Sequence, residues 1–210
     1  MVQGPFRTRQ PLVLASTSPR RQALLAGLGL AFEVIPSSMN EPSPEPGENP
    51  ADYAARMARL KGMDVAARHP DKFIVSADTI VVQGLNILGK PKDKFHALAM
   101  LTALSGDWHE VMTGFCVLRA RGNIARCQTE TTRVHMATNS REMLTAYVAS
   151  GEPMDKAGAY GIQGIGAFLV DTIEGSYTNV VGLPLRSVLN ILLEVEAIGV
   201  VDAQHLAQVR

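Results

Sequence analysis

Short apolar runs alternate along this chain with longer stretches whose apolar residues recur every three or four positions, the pattern of strands interleaved with helices. Leu12–Ala15 reads as a buried strand, and the near-continuous run Phe73–Val82 as a strand buried on both faces. His109–Arg119 and Ile124–Met136 read as two long strands around an Arg121-Gly122-Asn123 turn. Leu30–Ile35 and Ala167–Ile173 read as shorter ones. Helices are predicted from Pro19, from Asn49 to about Arg68, over Asp93–Leu104, from Asn139 or Ser140 to Ala149, and from Pro184. Ser18 before Pro19 is a helix start: a hydroxyl cap followed by a proline at the first helical position. The last helix turns Leu185, Val188, Leu189, Leu192 and Leu193 inward. Alternating strands and helices predict an α/β fold, with the long hairpin mixing antiparallel pairs into its sheet.

Polar residues that interrupt this pattern are the candidates for chemistry. Asp78 stands in the middle of the most apolar strand, where a carboxylate must be paired, metal-bound or protonated. Ser16, Thr17 and Ser18 line the turn into the first helix, and Arg20 and Arg21 occupy its first turn. The helix dipole disfavours cations there, so two arginines at that end suit a bound anion such as phosphate, the alternative being a solvated helix start with surface charges. Residues 36–50 carry Pro36, Pro42, Pro44, Pro46 and Pro50 and read as a loop. Within it Glu41 lies close enough to the preceding strand to reach a site at the strand ends.

Gly84–Lys90 spells the first seven positions of a P-loop. Pro91 stands where that motif needs Ser or Thr, and Leu85, Ile87 and Leu88 suit the return strand of a hairpin. The P-loop reading is rejected, while Lys90 keeps the reach of a point charge for phosphate. Gly151–Gly166 is rich in glycine and also holds Asp155, Lys156 and Gln163. Its Gly161, Gly164 and Gly166 imply a close approach of backbone to another group. The Gln163 amide is suited to a base edge. A lone histidine such as His109 at a strand start reads as structural.

Composition adds limits rather than chemistry. The 210 residues are 46% hydrophobic and 19% charged, with 20 Lys+Arg against 20 Asp+Glu. This balance and the lack of an aromatic platform argue against a long nucleic acid as partner. No run is long enough for a membrane span and residues 1–10 lack a signal-peptide core, so a cytoplasmic protein is expected. Cys116 and Cys127 lack metal-ligand spacing and are expected to be reduced, buried thiols. The expected organisation is an N-terminal extension over 1–10, one domain over 11–199 and a tail over 200–210.

Several stretches together resemble the Maf family of nucleoside triphosphate pyrophosphatases. They are Ala15-Ser16-Thr17-Ser18-Pro19-Arg20-Arg21, Ala77-Asp78-Thr79-Ile80-Val81, Gly89-Lys90-Pro91, Ser105-Gly106, Met112-Thr113-Gly114, Gly151–Gly164, and Asn179-Val180-Val181-Gly182-Leu183-Pro184. The resemblance implies an elongated, twisted mixed sheet flanked by helices, in two lobes with a central cleft. It implies hydrolysis of nucleoside triphosphates to a monophosphate and pyrophosphate with a divalent cation, Mg²⁺ or Mn²⁺. By position, Asp78 would be the catalytic acid/base, Glu41 its acidic companion, and both the metal ligands. Lys61 and Lys90 complete the catalytic set, and Arg21 joins them on the triphosphate. Ser16, Ser18, Arg20, Arg21, Thr79 and Gln163 would bind substrate.

Arg20, Thr79 and Gln163 match the branch acting on dTTP and UTP, where a branch for modified guanine nucleotides such as 7-methyl-GTP resembles Trp, Gln and Glu. Leu60 and Gly62 flank Lys61 where the family often has Glu and Ala, and Asn40 stands where many members have a second acid. The family has also been associated with inhibition of septum formation, so a non-catalytic regulator of division is the alternative, with a homodimer left open. A triphosphate with about four negative charges needs clustered cations on an otherwise neutral protein.

Overall fold

The computed structural model describes residues 4–201. Its main sheet has seven strands in the order β3-β2-β4-β6-β7-β8, with β5 paired beside β4. These are β2 (Leu12–Leu14), β3 (Glu33–Val34), β4 (Phe73–Gln83), β5 (Asn86–Leu88), β6 (Trp108–Arg119), β7 (Ile124–Met136) and β8 (Val170–Glu174). β2 runs parallel to β3 and β4, and the remaining pairs are antiparallel, which gives the mixed α/β architecture expected. A separate ribbon pairs β1 (Phe6–Thr8) with β9 (Ile198–Val200). Phe6 and Ile198 pack with the adjoining core, so part of the expected extension closes onto the domain. Residues 202–210, most of the expected tail, lie outside the described residues.

The helices begin where their caps predict. Ser18 Oγ accepts from the Arg21 N–H ahead of α1 (Pro19–Ala26), and Asn49 Oδ1 accepts from the Ala51 N–H ahead of α2 (Pro50–Arg68). Asp93 caps α3 (Lys94–Leu104) and Ser140 caps α4 (Arg141–Ala149). Two short segments depart from the expected pattern. Only Glu33–Val34 of the 30–35 run pairs as strand, and Gly164–Leu169 forms 3₁₀ turns before β8 begins at Val170.

Side-chain alternation along β4 assigns the two faces of the sheet. Ile74, Ser76, Asp78, Ile80 and Val82 face α2, which lies across β4 and β6. Phe73, Val75 and Ala77 join one apolar cluster with α1 and α6 (Leu185–Glu194), whereas Val81 joins a second with α3 and α4. Each fully buried apolar side chain in these clusters contributes about 1.5–3 kcal/mol. Between them on the same face runs a polar seam of Thr79, Thr113, Thr132 and Asn179, the last from α5 (Tyr177–Val181). This seam separates the two apolar clusters.

The cysteines correct an expectation. Cys116 and Cys127 stand directly opposite each other on β6 and β7 and form a disulfide rather than free thiols. Both lie in strands, as predicted. The turn that places Arg119 opposite Ile124 also places Cys116 opposite Cys127, a consequence of register that composition does not carry.

Candidate active site

The cleft exists because β4 is longer than its neighbours on one edge. Parallel β2 covers that edge over Phe73–Val75 and antiparallel β5 covers it over Val81–Gln83. The Ala77–Ile80 stretch between them has no strand beside it there, while β6 pairs its other edge throughout. Asp78 sits in this gap, beside a cleft of about 730 Å³. The cost of burying its charge, evident from sequence, is met on the α2 face of the sheet.

Lys61 meets it. Its Nζ donates to Asp78 Oδ1 at 2.6 Å and lies 2.8 Å from Glu41 Oε1. Two glycines allow α2 to approach this closely. A Cβ on Gly114, directly opposite Asp78 on β6, would stand 2.2 Å from Ala54 O of α2. One on Gly62 would stand 2.5 Å from Ser76 Oγ and Leu118 Cδ1. Gly62 beside Lys61 thus has a packing reason. The Lys61 hydrogen bond holds the Glu41 carboxyl below its ordinary pKa. Burial opposes the charge on Lys61, but Asp78 and Glu41 outweigh it and raise its pKa.

The loop carrying Glu41 is tied to the start of α2. Arg56 pairs with Glu48 and donates to Ser43 O, and the Tyr53 hydroxyl donates to Pro42 O. Arg56 thereby anchors this loop to α2.

Arg21 lines the same cleft and is held there by the protein. Its Nε donates to Gly182 O at 2.7 Å, Nη1 to Ala77 O at 2.8 Å and Ser16 Oγ at 3.3 Å, and Nη2 to Thr79 Oγ1 at 2.9 Å. Four of its five N–H groups therefore serve the protein. Burial lowers its pKa, with Asp78 opposing. Thr79 is similarly engaged: the Thr113 hydroxyl donates to Asn179 O, leaving Thr79 to donate to Thr113 while accepting from Arg21.

Ser16, Ser18, Arg20, Lys90 and Gln163 all line the cleft with Asp78, Glu41 and Lys61. Ser16 Oγ accepts from the Ser18 N–H and from Arg21, so its own proton remains to be donated. Lys90 and Arg20 form no ion pair among the described residues. The sequence-derived set is brought together on one cleft, with Arg21 and Thr79 as its scaffold. Sequence reasoning gave no role to Thr113, Asn179 and Gly182, which anchor that scaffold, nor to Tyr160 on the cleft wall. The Tyr160 hydroxyl meets His109 Nε2 at 2.7 Å in the interior, consistent with the structural reading of His109.

The family model described as Maf-like protein matches residues 11–195. The chain belongs to the Maf family. The dTTP/UTP pyrophosphatase of Nitratidesulfovibrio vulgaris is 50% identical over 195 residues, covering 93% of this chain and 92% of that protein. Proteins of the same name from Desulfotalea psychrophila and Geobacter sulfurreducens are 45% and 49% identical. They cover 93% and 89% of this Maf chain, and 100% and 97% of their own lengths. Among solved structures, the dITP/XTP pyrophosphatase of Mycobacterium abscessus aligns over 89% of this chain and 97% of its own. At 15% identity and a TM-score of 0.43 that likeness is too loose to bear on chemistry.

Among the described residues, no group of three His, Cys, Asp or Glu side chains converges as a metal site. What the Maf cleft offers is two carboxylates, Asp78 and Glu41, joined through one oxygen each by Lys61. Such a pair fits Mg²⁺, which is usually held by one or two carboxylates and completed by substrate phosphates and water. No helix among the described residues is long and apolar enough to cross a membrane.

Proposed function

We propose that this protein hydrolyses nucleoside triphosphates between the α and β phosphorus atoms, releasing the nucleoside monophosphate and pyrophosphate, with dTTP and UTP preferred. The observation that carries this reading is Asp78, sharing Lys61 with Glu41 at the unpaired edge of β4 in a cleft lined by Arg20 and Lys90. Relatives at 45–50% identity named dTTP/UTP pyrophosphatase support it.

In this mechanism Asp78 orients and deprotonates the attacking water, using Oδ2, which makes no hydrogen bond among the described residues. Lys61 keeps the carboxylate in place and adds positive charge beside the reacting phosphate. Exposed Lys90 and half-buried Arg20 bind the triphosphate oxygens. Ser16 and Ser18 line the anion site at the α1 N-terminus. Asp78 and Glu41 would hold Mg²⁺ or Mn²⁺, which when bound offsets charge developing on the phosphate oxygens. Thr79 and Arg21 shape the cleft floor, and Gln163 presents an amide to the base. A glutamate there would accept only, whereas an amide meets both the acceptors and the ring N–H of a pyrimidine. A cytoplasmic location is the corresponding expectation.

The test is chromatography of the products from dTTP, UTP, CTP and 7-methyl-GTP with Mg²⁺ or Mn²⁺. Monophosphate and pyrophosphate are expected, fastest from dTTP and UTP. Diphosphate and orthophosphate would overturn the reaction, and a preference for 7-methyl-GTP would overturn the base assignment. No turnover of any nucleotide would leave the regulatory reading.

A further inference from the structure

The glycines of the 161–166 loop make room for side chains of the protein. Glu152, just after α4, accepts at Oε1 from the Gly166 N–H at 2.9 Å and the Tyr147 hydroxyl at 3.0 Å. Its Oε2 accepts from the Ile165 N–H at 2.9 Å. Tyr147 Oη in turn accepts from the Gly161 N–H at 3.3 Å. A Cβ on Gly164 would stand 2.8 Å from Glu152 Oε2, and one on Gly166 2.5 Å from Tyr147 Oη. One on Gly161 would stand 2.8 Å from Lys156 Cε, whose Nζ donates to Glu152 O at 2.6 Å. Gly164 also has φ +81°, a left-handed conformation that favours glycine.

The loop is therefore pinned on both sides of Gln163, at Gly161 and at Ile165–Gly166. Gln163 lines the cleft, and its amide has no partner among the described residues. Three loop N–H groups are spent on Tyr147 and Glu152, so they are not free to read a base. Burial opposes the charge on Glu152, but the hydrogen bonds from Gly166, Ile165 and Tyr147 outweigh it and hold the carboxyl below its ordinary pKa. A carboxylate accepts at both oxygens, so it alone of the acid–amide pair satisfies donors on each side.

We infer that Glu152 and Tyr147 are positioning residues that set base selectivity by fixing the Gly161–Gly166 loop, and with it the place of Gln163. This inference rests on the assignment of Gln163 to the base, made above. Neither residue lines the cleft. Their loss is expected to blur the choice of nucleotide while leaving the chemical step.

The experiment compares native protein with Glu152→Gln, Tyr147→Phe and Gln163→Glu. It measures kcat and KM for dTTP and CTP, Kd for their α,β-methylene analogues, and amide hydrogen exchange at residues 161, 165 and 166. Glu152→Gln turns an amide NH₂ toward a backbone N–H, and Tyr147→Phe removes the acceptor for Gly161. In both variants exchange at these amides is expected to speed up. The dTTP-to-CTP ratio of kcat/KM should fall about tenfold, mainly through KM and matched in Kd, and kcat on dTTP should change less than about threefold.

Faster exchange with an unchanged ratio, or an equal loss on both nucleotides carried by kcat, overturns the inference. Tyr147→Phe removes one hydroxyl and keeps the ring, so it carries the comparison if Glu152→Gln fails to fold. A ratio that moves in Gln163→Glu but in neither positioning variant defeats this inference and leaves the base assignment standing. A ratio unmoved by Gln163→Glu, or absent in native protein, defeats both.

Discussion

Lys61 Nζ lies 2.6 Å from Asp78 Oδ1, across the contact that Gly114 and Gly62 allow between α2 and β4. The pair joins the site to the packing of the fold. Asp78→Asn keeps nearly the same shape and removes the base, so turnover is expected to fall about 10²–10⁴-fold, with the melting curve little changed. Normal turnover by a folded Asp78→Asn protein would remove this residue from the mechanism. Lys61→Ala leaves two carboxylates without their common cation and is expected to lower both activity and melting temperature.

Arg21 is expected to matter more for stability than for substrate affinity. Arg21→Ala strands the acceptors Ala77 O and Gly182 O, at about 1–3 kcal/mol for each buried group left unpaired. Arg21→Lys keeps a charge but not the fork that reaches β4 and the end of α5 at once, so it is expected to lower the melting temperature too. Unchanged melting with a raised KM in both variants would instead assign Arg21 to the triphosphate.

Lys90 makes the opposite demand. It is exposed on the cleft rim, so Lys90→Ala is expected to leave melting unchanged and to raise KM for dTTP several-fold at low salt. That difference should shrink as ionic strength rises and screening shortens the reach of its charge. A salt-independent effect would mean that Lys90 acts through a desolvated contact.

His109 supplies the pH prediction. Burial pushes its pKa from 6.5 down to about 4, so between these values the unfolded chain binds a proton that the folded one excludes. Stability is thus intact above pH about 6.5 and declines as pH falls toward about 4, by about 3 kcal/mol from this group. Thermal melts across that range should show the decline, and His109→Gln should flatten it relative to native protein. Parallel curves would exclude His109 as its source.

The strand and helix order was legible because strands buried on both faces and capped helix starts are local patterns. Ser18-Pro19, Asn49-Pro50 and the run around Asp78 each gave their element directly. The disulfide was less accessible, although register from the hairpin turn contains it. The hydrogen bonds that hold Arg21 were not legible, because its partners Ala77, Thr79 and Gly182 lie far along the chain. The glycine loop was correctly marked by its composition, but the groups it accommodates, Glu152 and Tyr147, carried no signal of their own.

By itself the sequence determined the element order, the isolated carboxylate of β4 and the residue types available to a phosphate site, since periodicity, capping and the cost of a buried charge act locally. Only the tertiary structure decided that β2 and β5 stop short of each other on the β4 edge, and that two glycines let α2 deliver Lys61 there. It also decided that Arg21 and Lys61 are tied to distant parts of the chain by hydrogen bonds and ion pairs. Those outcomes depend on contacts between residues far apart in the chain, where close packing and the pairing of buried polar groups choose among partners that no local pattern distinguishes.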